Sequence, residues 1–255
     1  MEVESVLVTG SNRGIGLEFV RQVVHLPTPP RFVFATYRNK NSIKDLQNIR
    51  DEAKDSEVIL IQMDVTKLDH IKAAQEIVQS KVGIRGLNLL INNAGFAKLL
   101  GFPEVTEENL LTHFHTNTVG PFMVLQEFFP LLKKAADRGE GAKLSVSRAA
   151  VINISAGNGS ITTATFDFPI IHAAVGYRVS KAASNMAMRM VAPALTKSGI
   201  LDIQMCPGWV KTDMGSPAAE LEVSDSIAAM LKTMKQLNES HQGTFIDRNG
   251  EPIPF

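Results

Sequence analysis

The chain has 255 residues, 44% of them hydrophobic, enough to bury a large core in one α/β domain spanning 1–255. Lysines plus arginines number 26 and acids number 26, so no net field exists to draw nucleic acid or an anionic membrane, and partners are expected in a pocket. Cys206 is the only cysteine, which excludes an internal disulfide framework and fits a reducing compartment, with the cytoplasm as the expected location.

Apolar runs bounded by turn residues alternate with stretches of helical period, the pattern of βαβ units and a parallel sheet covered on both faces. The first strand is expected at Val3 to Thr9. Glu2 and Glu4 stand where a secretory leader carries positive charge, and no apolar run approaches the ~20 residues of a membrane-spanning helix, so neither is expected. The strand runs into Thr9-Gly10-Ser11-Asn12-Arg13-Gly14-Ile15-Gly16, and an amphipathic helix follows from Leu17 to the prolines at 27, 29 and 30. Glycines let such a turn approach a pyrophosphate, whose charge is favoured at the helix N-terminus. The spacing is GxxxGxG rather than GxGxxG, so the turn reads either as a dinucleotide cradle or as a tight connection.

A second strand, Arg31 to Tyr37, leads directly to Arg38. An NAD site presents an acid here to the ribose 2′-hydroxyl, whereas a 2′-phosphate wants a cation. No acid occurs between Glu18 and Asp45, and Arg13 and Arg38 are both at hand, so NADPH is expected over NADH. Ser42 with Asp45 and Thr66 with Asp69 have capping-box spacing at the starts of two helices. Between them lies the strand Glu57 to Met63. The fourth strand, Leu87 to Asn92, ends in Asn92-Asn93-Ala94-Gly95, small and amide residues that suit either close approach to a ligand or a plain turn.

An apolar helix is expected from about Leu110 to Ala135. Pro121 follows Asn117 by four residues and has no N–H, so the carbonyl of Asn117 is released to bond something else, a relay water or nothing more than the solvent of a kink. His113 and His115 are two apart and share no helical face, and no Cys/His cluster exists, so no metal is expected. The fifth strand, Ala149 to Ser155, opens onto a Gly- and Thr-rich stretch from Ala156 to Gly176 that holds Phe166, Phe168 and Pro169. That stretch is either a mobile excursion or a pocket wall.

The run Tyr177-Arg178-Val179-Ser180-Lys181 opens the next helix, with the phenol and the amine four apart on one face. A nearby ammonium stabilises phenolate and is expected to lower the tyrosine pKa towards neutrality, which suits general acid catalysis. Pro193 in the same helix frees the carbonyl of Arg189, to which no role is assigned. A strand from Ile200 to Cys206 precedes Pro207-Gly208-Trp209. The apolar stripe Ile227, Leu231, Met234 and Leu237 marks a last helix, and Gly243 to Asp247 a last strand. Phe128, Phe129, Met186 and Met190 on the helices bearing Asn117 and Tyr177 suit either packing on the sheet or a homodimer formed by helix pairing.

Taken in order, these parts resemble the short-chain dehydrogenase/reductase family over nearly the whole chain: Thr9-Gly10 through Gly16, Asp64-Val65 after the third strand, Asn92 through Gly95, Asn117, Tyr177 with Lys181, and Pro207-Gly208 with Thr212. A narrower resemblance, to sniffer-type carbonyl reductases, rests on Ser11 through Gly14, Leu131 through Ala136, Arg148-Ala149-Ala150 and Pro207 through Gly215. The resemblance implies a Rossmann-like, doubly wound sheet of about seven parallel strands with helices on both faces, and reduction of a small carbonyl substrate with NADPH/NADP+. Tyr177 would be the general acid, Lys181 would bond the nicotinamide ribose, and Asn117 would hold the relay water. The coenzyme would be bound by Gly10, Asn12, Arg13, Gly14, Ile15, Gly16, Arg38, Asp64, Val65, Asn93, Ala94, Gly95, Tyr177, Lys181, Pro207, Gly208, Val210 and Thr212.

One departure stands out. The family pattern after the fifth strand is Asn-x-Ser-Ser, whose second hydroxyl holds the substrate oxygen; here the run is Asn153-Ile154-Ser155-Ala156. Ser155 is the neighbouring candidate, but successive strand side chains point to opposite faces, so it reaches the substrate only if the strand ends in a bulge. Ser160, Thr162, Thr163 and Thr165 are the other hydroxyls at hand. A catalytically weakened coenzyme-binding protein that acts as a redox-responsive interaction module is therefore the competing expectation.

Overall fold

The computed structural model describes residues 2–139, 141–164 and 174–255. Seven strands form one all-parallel sheet in the order β3-β2-β1-β4-β5-β6-β7: β1 Ser5–Val8, β2 Phe32–Tyr37, β3 Glu57–Gln62, β4 Leu89–Asn92, β5 Ala150–Ile154, β6 Leu201–Cys206 and β7 Phe245–Asp247. Each lies inside the run expected from sequence. β1, β2, β4, β5 and β6 are buried along their whole length, because both faces are covered.

The helices are α1 Gly14–Val23, α2 Lys44–Glu52, α3 Leu68–Val82, α4 Glu107–Phe114, α5 Gly120–Arg138, α6 Val175–Lys197 and α7 Val223–Met234. Alternation along each strand sorts two cores. Val6, Val8, Ile91, Ile152 and Met205 meet α1, α2 and α7, with Ile227, Leu231, Met234 and Leu237 supplying the expected stripe. Leu7, Leu90 and Val151 meet α3, α5 and α6 on the other face. Phe128 is wholly buried there, so it offers nothing to a partner, whereas Met186 and Met190 on α6 stand exposed.

The structure corrects three local expectations. Neither capping box forms: the hydroxyl of Ser42 donates to the Asn39 carbonyl at 3.0 Å and that of Thr66 to Asp64 Oδ1 at 2.7 Å, so local turns consume the capping groups. The first helix begins at Gly14 rather than Leu17. The single apolar helix around Asn117 is in fact α4 and α5 joined by a wide π turn over His115–Val119, where the Gly120 N–H reaches back five residues to the His115 carbonyl. Proline at 121 tolerates this because it begins a new helix instead of interrupting one.

The chain order reverses between β1 and β4, so the crevice at the carboxyl ends of these strands is the place where a doubly wound sheet takes a ligand.

Candidate active site

Two strand ends are lashed together at that crevice. Thr9 Oγ1 accepts from the N–H groups of Asn93 and Ala94, both at 2.9 Å, while Asn93 Nδ2 donates to the carbonyls of Thr9 at 2.8 Å and Gly10 at 3.0 Å. Gly10 has φ +65°, and a Cβ on Gly16 would stand 2.4 Å from the Gly10 carbonyl oxygen and 2.5 Å from Asn93 Nδ2. Side chains at these two positions are thus excluded by the frame itself. The amide nitrogen and the main-chain N–H of Asn93 are both spent on the frame.

The turn leaves the start of α1 open. No side chain caps the helix and no acid lies in its first turn, so its N–H groups face outward with their positive end free for an anion. Across from it runs the segment after β6: a Cβ on Gly14 would touch Thr212 Cγ2 at 3.2 Å, and Arg13 reaches Asp213 at 2.6 Å. Both members of that ion pair are largely exposed, so it is weak. Arg13 therefore meets an acid from the far end of the chain, which sequence spacing did not foretell. Arg38 is exposed at the end of β2, and its charge, with that of Lys67, acts on Asp64. Burial alone would raise the Asp64 carboxyl; the Thr66 N–H and hydroxyl and the two cations outweigh it and hold the group below its usual range. A glycine cradle, a free helix N-terminus and a guanidinium with no acid on β2 together fit a dinucleotide carrying an extra phosphate.

The other wall is α6. Lys181 is buried and its Nζ donates to the Ile154 carbonyl at 2.8 Å, 5.8 Å from the centroid of the Tyr177 ring. Burial lowers the amine to about 8, with Cys206 opposing. The Tyr177 phenol moves the other way: burial, then Cys206, push it above 10. The expected lowering by Lys181 is not met in this cleft, because the ammonium is engaged by a carbonyl and desolvation acts directly on the phenolate.

Asn117 is buried, and its side chain closes a reciprocal pair with Phe96: the Phe96 N–H donates to Oδ1 at 2.8 Å, and Nδ2 donates to the Phe96 carbonyl at 2.9 Å and to Ser180 Oγ at 3.0 Å. The Ser180 hydroxyl in turn donates to the Tyr177 carbonyl at 2.7 Å. Asn117 thereby ties the segment after β4 to the helix of Tyr177, leaving its main-chain carbonyl as the group for other work. Gly95 lies in the same corner, where an added Cβ would be 3.5 Å from Asn117 Oδ1 and 4.0 Å from Lys181 Nζ.

Ser155 does not stand in for the missing hydroxyl. The Ser155 N–H continues the ladder to the Met205 carbonyl at 2.9 Å without a bulge, and its hydroxyl is committed to Asn185 Oδ1 at 2.6 Å. Ser160 is buried and accepts from the Thr163 N–H, and Thr162 donates to the Phe255 carbonyl; Thr165, Phe166, Phe168 and Pro169 lie outside the described residues. Gly159 and Ile161 from the early part of that stretch, with Met186, Arg189, Met190 and Phe255, line an apolar pocket of about 420 Å³ that Tyr177 and Lys181 do not line.

Several residues were missed from sequence. Cys206 Sγ accepts from the Gly157 N–H at 3.2 Å and the Gly208 N–H at 3.4 Å, joining the ends of β5 and β6, while burial keeps the thiol raised. His113 and Asn109 flank Asn117 on one side of α4; their i, i+4 and i+8 spacing was the available signal. Among the described residues no three His, Cys, Asp or Glu side chains gather as a metal site, and no helix is long and apolar enough to cross a membrane.

The family model for short chain dehydrogenase matches residues 4–222. Among solved structures, the chain is similar to the carbonyl reductase Sniffer of D. melanogaster, with 35% identity, full coverage of both chains and a TM-score of 0.93. It is also similar to an NADPH-bound carbonyl reductase from chicken fatty liver, with 38% identity, full coverage of both and a TM-score of 0.93. An uncharacterised oxidoreductase of Schizosaccharomyces pombe is 30% identical over 268 aligned positions, 97% of this chain and 96% of that one.

Proposed function

Because the chain belongs to the short-chain dehydrogenase family, we propose that it is an NADPH-dependent oxidoreductase that reduces an aldehyde, ketone or quinone to the alcohol. The observation that carries the reading is the meeting, at one crevice, of the open glycine cradle with Tyr177, Lys181 and Asn117. Its similarity to two carbonyl reductases supports the substrate class.

When bound, the reduced nicotinamide supplies the hydride that adds to the carbonyl carbon. Tyr177, held protonated at neutral pH by its raised pKa, gives its proton to the carbonyl oxygen. Lys181, lowered only to about 8, is mostly ammonium at pH 7 and offsets the charge left on the phenolate. The main-chain carbonyl of Asn117 is the place for the water that returns a proton to Tyr177. Arg38 and Arg13 would hold the 2′-phosphate, Asp64 and Val65 would hold the adenine, and Pro207, Gly208, Val210 and Thr212 would hold the nicotinamide and pyrophosphate. The free thiol of Cys206 fits a cytoplasmic site of action, and exposed Met186 and Met190 fit a homodimer through α6.

A broad carbonyl panel run with each coenzyme tests this reading. NADPH is expected to outperform NADH by roughly 10-fold or more in kcat/KM, since a paired guanidinium–phosphate contact is worth at least 1.4 kcal/mol. Equal use of both, or no reduction of any carbonyl, would remove it.

Ala156 favours a second reading, a coenzyme-binding protein with decayed catalysis, because neither it nor Ser155 offers a free donor to a substrate oxygen. Restoring the donor by Ala156→Ser is expected to raise kcat by about 10²-fold, the usual worth of one such hydrogen bond. An inert parent rescued by this change supports the second reading, whereas brisk turnover by the parent that the serine does not improve rejects it.

A further inference from the structure

The segment after β4 has no neighbouring strand, yet its main chain is paired as though it had one. Asn117 bonds both the N–H and the carbonyl of Phe96. Two residues on, His113 Nε2 accepts from the Lys98 N–H at 3.1 Å and Asn109 Nδ2 donates to the Lys98 carbonyl at 3.0 Å. Three side chains from one side of α4 and its π turn thus take the part of a β-partner. The wide turn makes this possible: it slows the helical rotation and brings Asn117 back to the side that carries Asn109 and His113.

His113 is the member that touches both walls of the crevice. It is wholly buried, and its Nδ1 lies 2.7 Å from the Asn109 carbonyl, so Nδ1 must carry the proton and Nε2 must be the acceptor for Lys98. One face packs on Phe96 at a centroid distance of 4.9 Å, and the ring meets Tyr177 edge-on at 6.4 Å. The start of α6 rests directly on the same pair of residues: a Cβ on Gly176 would stand 2.5 Å from Asn109 Oδ1 and 2.7 Å from His113 Nδ1. Glycine at 176 lets the helix settle there, one residue before Tyr177. A satisfied core histidine would need none of this alignment; here one ring fixes the distance between the segment at Gly95 to Lys98 and the backbone of Tyr177.

We propose that His113 is a positioning residue for carbonyl reduction, holding the 96–98 segment and the Tyr177 ring at their working separation across the crevice. The proposal rests on the reductase reading above. It is tested in the full chain with two variants. His113→Phe keeps an aromatic ring but leaves the Lys98 N–H without its acceptor, and His113→Gln restores an acceptor oxygen.

Steady-state kinetics of NADPH-dependent reduction, coenzyme affinity and amide exchange are read together. His113→Phe is expected to lower kcat about 10- to 100-fold, the scale of a small misplacement of reacting groups, with NADPH affinity unchanged within about 2-fold. Exchange of the 96–98 amides should quicken by about 10-fold, and His113→Gln should recover most of both losses. Parental kcat in His113→Phe overturns the proposal. So does an equal loss of kcat and coenzyme affinity in both variants, which is what a packing role predicts. If the parent reduces no carbonyl, the reductase reading fails on that result alone, and the exchange rates decide separately whether the clamp exists.

Discussion

Tyr177→Phe is expected to lower kcat for NADPH-dependent carbonyl reduction by about 10²- to 10⁴-fold, the range spanned by general acid catalysis, while leaving coenzyme affinity within about 2-fold of the parent. The separation of the two effects follows from position. The phenol ring is held by its edge contact with His113 and by the main chain of α6, so phenylalanine keeps the packing and removes only the hydroxyl. No described hydrogen bond of the coenzyme cradle depends on that hydroxyl; Thr9, Gly10, Gly16 and Asn93 form the cradle among themselves. Trp209, half-exposed beside Pro207-Gly208 and donating through Nε1 to the Gly215 carbonyl at 2.6 Å, offers a binding signal independent of turnover, namely quenching of its emission by NADPH. Undiminished turnover in the variant would take Tyr177 out of the reaction. Loss of quenching would show that the ring supports the site rather than the chemistry.

A second large effect is expected within the sheet itself. On the α5 and α6 side of the sheet, where buried parallel strands are normally apolar, Asn92 Nδ2 donates to Asn153 Oδ1 at 3.0 Å, Asn153 Nδ2 to Asp202 Oδ1 at 2.8 Å, and Gln204 Nε2 to Asp202 Oδ2 at 3.0 Å. Two of these amides, Asn153 and Gln204, donate to one carboxyl that has no solvent exposure. Burial raises Asp202 to about 7, and the donors from Gln204 and Asn153 offset only part of that. Asn92 Oδ1 and Gln204 Oε1 are left without partners.

The sign follows from proton counting. Between pH 4 and 7 the folded chain holds a proton on Asp202 that the unfolded chain has lost, so stability falls as pH rises through this window and reaches its full cost at about pH 7. A shift of roughly three units corresponds to about 4 kcal/mol at most. Asp202→Asn removes the titration, keeps an acceptor for Asn153 and supplies an N–H for Gln204 Oε1 once that amide turns over. It is expected to stabilise the fold by about 1–4 kcal/mol at pH 8 and to give little of that gain at pH 4.5. Urea melts at the two pH values measure the difference, and an identical gain or loss at both would show that Asp202 does not change its proton in this range.

The row also ends at the crevice, since Asn92 Nδ2 donates to the Pro121 carbonyl at 3.2 Å and so pins the start of α5 to the strand that leads into Asn93 and Gly95. Its order in the fold therefore bears on the placement of Asn117 as well as on stability.

The seven strands, their parallel arrangement and the glycine turn were legible in the sequence because each depends on local pattern: buried β runs between turn residues, and glycines at fixed offsets after the first of them. The Tyr177–Lys181 pairing was legible for the same reason, four residues being one helical turn. What only the tertiary structure decided was whatever depends on residues brought together from far apart in the chain. Ser42 and Thr66 have good capping spacing, yet nearby turns capture their hydroxyls. The ion pair of Arg13 joins positions 200 residues apart. In the sequence His113 was weighed only against His115, and Asn109 drew no notice; the fold sets both beside Asn117, where they bond the main chain of Lys98. The direction of the Tyr177 shift reversed because spacing reports which charge is near, whereas desolvation is a property of the assembled cleft.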